Sequence, residues 1–217
     1  MISNAQISIK IPYEKSVFQR NNSNIGNIFI TGTLEQDVDR VEARIVPRIA
    51  NQGVQTEWKT IDNIIDGEHF VNPSPSTQHQ HVSKRLQYQL YTKIELAGLG
   101  VLYNAPTDVQ LSEFDIVQPD IVVILNENVR KITPTKIKVA PHLVVEILSP
   151  STSGNDRTIK KDLYERSGVV EYWIVDPFEQ QVDQWVLREG KYLLVPRAKV
   201  ISLSFVSDVE VDFDTVW

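Results

Sequence analysis

The 217-residue chain contains no cysteine and a single methionine. The missing thiols exclude a disulfide framework, a thiolate metal site and a cysteine nucleophile, and they fit a reducing compartment. Long apolar runs are missing as well. The run Ile121–Leu125 falls far short of the roughly 20 residues that a membrane helix needs. The opening MISNAQISIKIPYEK lacks the apolar core of a secretory leader. No membrane partner is expected, and a cytoplasmic setting is. Basic excess is also lacking: 22 Lys and Arg against 28 Asp and Glu leave a net charge of −6. Without a broad positive field, the monomer cannot hold nucleic acid by charge alone. One local exception is Arg130, Lys131, Lys136 and Lys138, which lie between Glu127 and Glu146 with no acidic residue among them. A solvated loop is the plain use of such a stretch, and phosphate contact is the functional one.

What the chain does have is enough apolar residue, 41% of 24.8 kDa, to bury one sizeable core without staples. Residues 1–60 read as β. Ile7, Ile9 and Ile11 alternate with polar residues, Ile28–Ile30 is a short apolar run, and Val41, Ala43 and Ile45 alternate with charge. Asn21–Asn24 and Asn51–Gly53 punctuate them. No residue here suggests chemistry, and the segment has no assigned role.

From residue 61 to 217 the pattern is that of a second, mixed domain. Pro73–Ser76 precedes Val82, Leu86, Leu90 and Ile94, a spacing of four that predicts one apolar helix face ended by Gly98 and Gly100. Strands are expected at Val101–Tyr103, Val109–Leu111, Ile121–Leu125 and Leu143–Leu148. Ser149–Ser153 then starts a helix running to about Arg166, with Ile159 and Leu163 as its apolar side and Gly168 at its cap. Tyr172–Val175 follows as a strand. Strand, helix, strand within about 30 residues forms a crossover, so Leu143–Leu148 and Tyr172–Val175 should run parallel. Val182–Leu187 and Tyr192–Val195 read as a hairpin around Glu189-Gly190, and Val209–Phe213 alternates as a last strand.

Two carboxylates stand out. Glu146 sits inside an apolar strand, where an ionised carboxylate costs several kcal/mol unless paired or bound to a cation. Asp120 opens the other apolar strand after Gln118-Pro119. If the strands are neighbours the two converge, and hard oxygen ligands with room for water suit Mg²⁺ or Mn²⁺. The plain alternatives are a turn cap for Asp120 and a structural ion pair for Glu146. Asp156, Lys160 and Tyr164 are spaced by four and share a helix face. They form either a surface ion pair worth a few tenths of a kcal/mol or a lysine carried over the carboxylates. His79 and His81 could bind a metal, but both lie at a helix start, where polar surface roles are commoner, and His69 and His142 read as structural. The tryptophans read as packing.

These stretches resemble the Uma-type restriction endonucleases, a branch of the PD-(D/E)xK nuclease superfamily. The resemblance is carried by Asp66-Gly-Glu68, SPSTQH (74–79), QPD (118–120), APHLVVEILSPST (140–152), the Asp156/Lys160/Tyr164 spacing and GVVEYWIVDP (168–177). It implies an α/β (α+β) fold with an αβββαβ core and a mixed central sheet. It implies that Asp120 and Glu146 ligate a divalent metal, with the backbone carbonyl of Ile147 as a further ligand. The superfamily's usual lysine position, two residues after the glutamate, is Leu148 here, and Lys160 on the helix takes its place; Lys161 points about 100° away. The resemblance also implies a Mg²⁺- or Mn²⁺-dependent endonuclease acting on DNA. With so little basic surface on the monomer, tight binding would need a homodimer that pairs two basic loops. The alternative is a non-catalytic nuclease-fold module. Asn63 departs from the family's pattern of an acidic residue before the Asp-Gly pair, so no third acidic ligand is assigned.

Overall fold

The computed structural model describes 63–70, 74–149 and 153–217, together with five strands earlier in the chain. The chain divides into two units, Met1–Asn72 and Pro73–Trp217. In the first, β1 (Gln6–Ile9), β4 (Glu42–Val46) and β5 (Lys59–Thr60) form an antiparallel sheet, and β2 (Gln19–Arg20) pairs with β3 (Gly26–Asn27). β6 (Asn63–Ile65) and β7 (Glu68–Phe70) form a hairpin. Its turn is Asp66-Gly67, both at positive φ (51° and 78°), as a two-residue turn matching strand twist requires. The alternations at Ile7–Ile9 and Ala43–Ile45 thus lie on strands, while the Ile28–Ile30 run and both Asn-rich turns fall outside the described residues.

The second unit is built on a six-stranded mixed sheet. Its strands are β8 (Gly100–Asn104), β11 (Ile121–Leu125), β12 (Leu143–Ile147), β13 (Glu171–Asp176), β14 (Gln181–Arg188) and β15 (Lys191–Leu194), in the order β15-β14-β13-β12-β11-β8. β12 and β13 are parallel and the other pairs antiparallel, as the crossover demands. The short strands β9 (Val109–Gln110) and β10 (Ile116–Val117) pair with each other, as do β16 (Val200–Ser202) and β17 (Glu210–Asp212). Gly100 is required at the sheet edge: a Cβ there would meet the Ile124 carbonyl oxygen at 2.3 Å.

Helix α1 (Thr77–Leu90), extended by a wider turn over Tyr91–Glu95, covers one face. Val82, Leu86, Leu90 and Ile94 are all at most 1% exposed and pack on Val145, Trp173 and Val175. Each such burial is worth about 1.5–3 kcal/mol. The other face carries α2 (Ser153–Arg157) and α3 (Ile159–Arg166). The single helix expected here is broken at Thr158, whose backbone leaves the helical region (φ −123°, ψ −86°) while its hydroxyl donates to the Gly154 carbonyl at 2.7 Å. A β-branched hydroxyl residue that bonds back to its own turn weakens the helix there. Ile159, expected on the apolar side, is 39% exposed, and Lys160, Leu163 and Tyr164 face the sheet instead. Gly168, at φ +80°, closes α3, with the Val169 N–H donating to the Tyr164 carbonyl. No helix among the described residues is long and apolar enough to cross a membrane.

Candidate active site

β11 and β12 are antiparallel, with Ile121 opposite Val145. Asp120, just before β11, and Glu146, near the end of β12, therefore meet at the same end of the sheet. Pro119 is buried and Gln118 is tied to Asp108 by a 2.8 Å hydrogen bond, which fixes the chain entering Asp120. The Asp120 Oδ2 accepts the Ile147 backbone N–H at 2.7 Å, which bolts the two strand ends together. The same oxygen lies 3.1 Å from His79 Nε2. A carboxylate only accepts, so Nε2 carries the hydrogen. His79 is held there by the first turn of α1, where Ser76 Oγ accepts the His79 backbone N–H. Burial works against the imidazolium, but the bond and charge of Asp120, helped by Glu146, lift the His79 pKa above its ordinary value.

Glu146 is the centre of the cluster. Its Oε2 accepts from Lys160 Nζ at 2.9 Å and its Oε1 from the Tyr164 hydroxyl at 2.7 Å. Lys160 Nζ also lies 2.9 Å from Asp156 Oδ1, and the side chains of Glu146, Lys160 and Asp156 are 5%, 6% and 2% exposed. This is a buried ion triad, not the surface pair that the i, i+4 spacing equally allowed. The break at Thr158 does not prevent it, because Asp156 and Lys160 still reach each other across it. Burial pushes the Glu146 carboxyl up to about 7. Asp156 and Asp120 add to that rise, while the Lys160 charge and the Tyr164 hydrogen bond oppose it. Lys160 loses solvation too, yet Glu146 and Asp156 raise its pKa further, which favours the ammonium. Tyr164 is raised well above its ordinary value by burial and by the charge of Glu146.

Three carboxylates, Asp120, Glu146 and Asp156, thus face one ammonium and one histidine. The surplus negative charge is what a divalent cation would neutralise, and hard oxygen donors suit Mg²⁺ or Mn²⁺. Among the described residues no group of three or more His, Asp and Glu side chains is arranged to hold a metal ion. Asp120, Glu146 and a main-chain oxygen such as that of Ile147 would leave a cation several of its waters, as Mg²⁺ commonly keeps.

Of the residues singled out in the sequence, Asp120, Glu146, Ile147 and Lys160 are brought together. Lys161 points away, its Nζ 4.4 Å over the Trp185 ring. Arg130, Lys131, Lys136 and Lys138 lie in the connection from β11 to β12, which leaves the sheet at Leu125 and folds back, the Ile137 N–H donating to the Asp108 carbonyl and the Lys138 N–H to that of Lys131. His142 is structural as expected: its Nδ1 accepts the Leu125 N–H and its Nε2 lies 3.0 Å from Glu127 Oε1. The His69 side chain lies outside the described residues. His79 is the participant that spacing could not settle, because its partner is 41 residues away.

A mixed sheet in αβββαβ order, with Asp and Glu at one end of adjacent strands and a lysine over them, defines a nuclease fold of the restriction-endonuclease, PD-(D/E)xK type. The family model Uma2, described as "Putative restriction endonuclease", matches residues 49–213. The chain belongs to that family. Among solved structures it is similar to the crystal structure of a protein titled "putative nuclease belonging to DUF820", from Anabaena variabilis ATCC 29413. That likeness has a TM-score of 0.59 and 20% identity over 71% of this chain and 88% of the other, a likeness of fold. No curated protein matches the chain.

Proposed function

We propose that this protein is a divalent-metal-dependent endonuclease that hydrolyses DNA phosphodiester bonds. The observation that carries it is the Lys160 ammonium, locked 2.9 Å from both Glu146 and Asp156 beside Asp120. Burying a charge cluster of this kind is costly, and a hydrophobic packing would serve stability as well or better. Mg²⁺ or Mn²⁺ held by Asp120 and Glu146 would supply Lewis acidity and a water of lowered pKa. Lys160 would orient or deprotonate the attacking water and neutralise charge that develops on the phosphate. His79 and the Ile147 N–H occupy one oxygen of Asp120 and so aim its other oxygen. Tyr164 holds the Glu146 carboxylate in its rotamer.

Arg130, Lys131, Lys136 and Lys138 would supply phosphate contacts, which position a duplex without reading its sequence. A homodimer would bring two sites to the two strands and offset the lack of basic surface. The test is supercoiled-plasmid cleavage with Mg²⁺ or Mn²⁺, with EDTA and Asp120→Ala as controls. Nicking lost in both controls is the expected result. No cleavage, together with no calorimetric Mn²⁺ binding that depends on Asp120 and Glu146, would favour the non-catalytic module instead.

A further inference from the structure

A second charged cluster lies on the same face of the sheet as Glu146. Glu146 stands directly beside Ile174 of β13, and Ile174 directly beside Asp183 of β14. Residues in register across a sheet project from the same face, and two strand spacings separate Glu146 from Asp183 by about 10 Å. Asp183 is 7% exposed. Its Oδ2 accepts Arg157 Nη1 at 2.8 Å, and its Oδ1 accepts Arg197 Nε at 3.0 Å and Nη2 at 2.7 Å. Arg197 also donates to the Gln181 side chain, and Arg157 Nη2 is 3.8 Å from Asp176 Oδ2.

Asp183 holds both guanidiniums directly, and the second carboxylate of the cluster, Asp176, reaches only Arg157, at 3.8 Å. The outer edges of both guanidiniums are open, with the Arg157 side chain 43% and that of Arg197 56% exposed. Each guanidinium has five donors in a rigid fork suited to phosphate oxygens, and only some are engaged by Asp183. Arg157 directly follows Asp156, so the backbone that delivers the Lys160 partner also delivers this arginine. Consecutive phosphates of a strand rise about 3.4 Å along the helix axis but lie roughly twice that far apart along the winding backbone. A distance of about 10 Å therefore corresponds to roughly one to two phosphates.

We propose that Arg157 and Arg197, fixed in place by Asp183, form a phosphate-binding subsite for the nucleic acid strand one to two nucleotides from the scissile bond. This rests on the nuclease function proposed above and names where the substrate backbone lies. The pair positions the strand and reads no base.

The test is fluorescence anisotropy of a labelled DNA duplex with the full-length protein in EDTA, between about 50 and 200 mM salt. Arg157→Gln and Arg197→Gln should each weaken binding and lower the slope of log affinity against log salt by about 0.9. Lys93→Gln removes the same charge at the far end of α1 and should leave the slope unchanged. Wild-type affinity and slope in the two arginine variants, or an equal loss in Lys93→Gln, would overturn the subsite. If either glutamine variant fails to fold, Arg157→Lys combined with Arg197→Lys keeps both charges beside Asp183. Loss of the planar forks should then weaken binding by about threefold or more at an unchanged slope, and wild-type affinity would overturn the proposal. Wild-type cleavage with unaffected variants removes only the subsite, whereas absent wild-type cleavage and binding removes the nuclease function with it.

Discussion

Glu146 and Glu171 invite comparison. Both are buried glutamates on adjacent central strands, 4% and 0% exposed, and they project from opposite faces of the sheet. On the α1 face, Glu171 is met by neutral donors: the Trp173 indole N–H and the Gln184 amide at 2.7 Å on Oε1, and the Ser204 N–H at 2.7 Å on Oε2. Those bonds tie β13 to β14 and to the loop before β17. On the α3 face, Glu146 is met by Lys160 and Tyr164, with Asp156 and Asp120 close by. The difference separates two uses of a buried carboxylate. One is saturated by neutral hydrogen bonds and serves the fold. The other is contested between like and unlike charges, which leaves it poised to change proton.

The largest effect that would sharpen this contrast is on cleavage. Asp120→Ala and Glu146→Gln should each slow plasmid nicking by about 10²–10³-fold or more, while Glu171→Gln should nick at the wild-type rate at a temperature where it is folded. Equal losses for both glutamates in well-folded protein would erase the distinction. Stability should respond next. Lys160→Met strips the shared cation from Glu146 and Asp156, and chemical denaturation near pH 8 should show a loss of about 3–5 kcal/mol.

The pH dependence of stability carries the comparison further. The folded Glu146 carboxyl titrates at about 7 against an ordinary 4.5. Between those values the folded chain holds a proton that the unfolded chain releases. The corresponding stability is therefore fully present below pH 4.5 and is lost as pH rises through 7, on the order of 3 kcal/mol. Denaturant midpoints measured across that window should fall for the wild type and flatten in Glu146→Gln; a slope unchanged by the substitution would contradict the assignment. The smallest effect expected is that of Glu171→Gln. It sets an amide NH₂ against the Ser204 N–H, a cost of about 1–3 kcal/mol visible as a lowered melting temperature.

Much of this was legible before any coordinates. The spacing Val82, Leu86, Leu90, Ile94 dictated a helix with one buried face because four residues make about one turn. The Ile121–Leu125 and Leu143–Ile147 runs were readable as covered strands from their unbroken apolar, β-branched composition. Glu146 announced itself as the one charge inside such a strand. The helix break at Thr158 was not legible, since a hydroxyl bonding back to its own turn competes with a good helical period only locally. Nor was the exposure of Ile159, which follows from that break.

By itself the sequence determined the element types and the parallel crossover, because periodicity is a local property, and it singled out Asp120, Glu146 and Lys160 as candidates. The tertiary structure alone decided what the charges face. Strand register set Asp120 beside Ile147 and aligned Glu146 with Asp183. The approach of α1 delivered His79 to Asp120, and the packing of α3 turned an i, i+4 pair that could have been a solvated ornament into a buried ion cluster. The physical reason is that the worth of a charge depends on its burial and on partners distant in the chain, and neither is a property of the residues nearby in sequence.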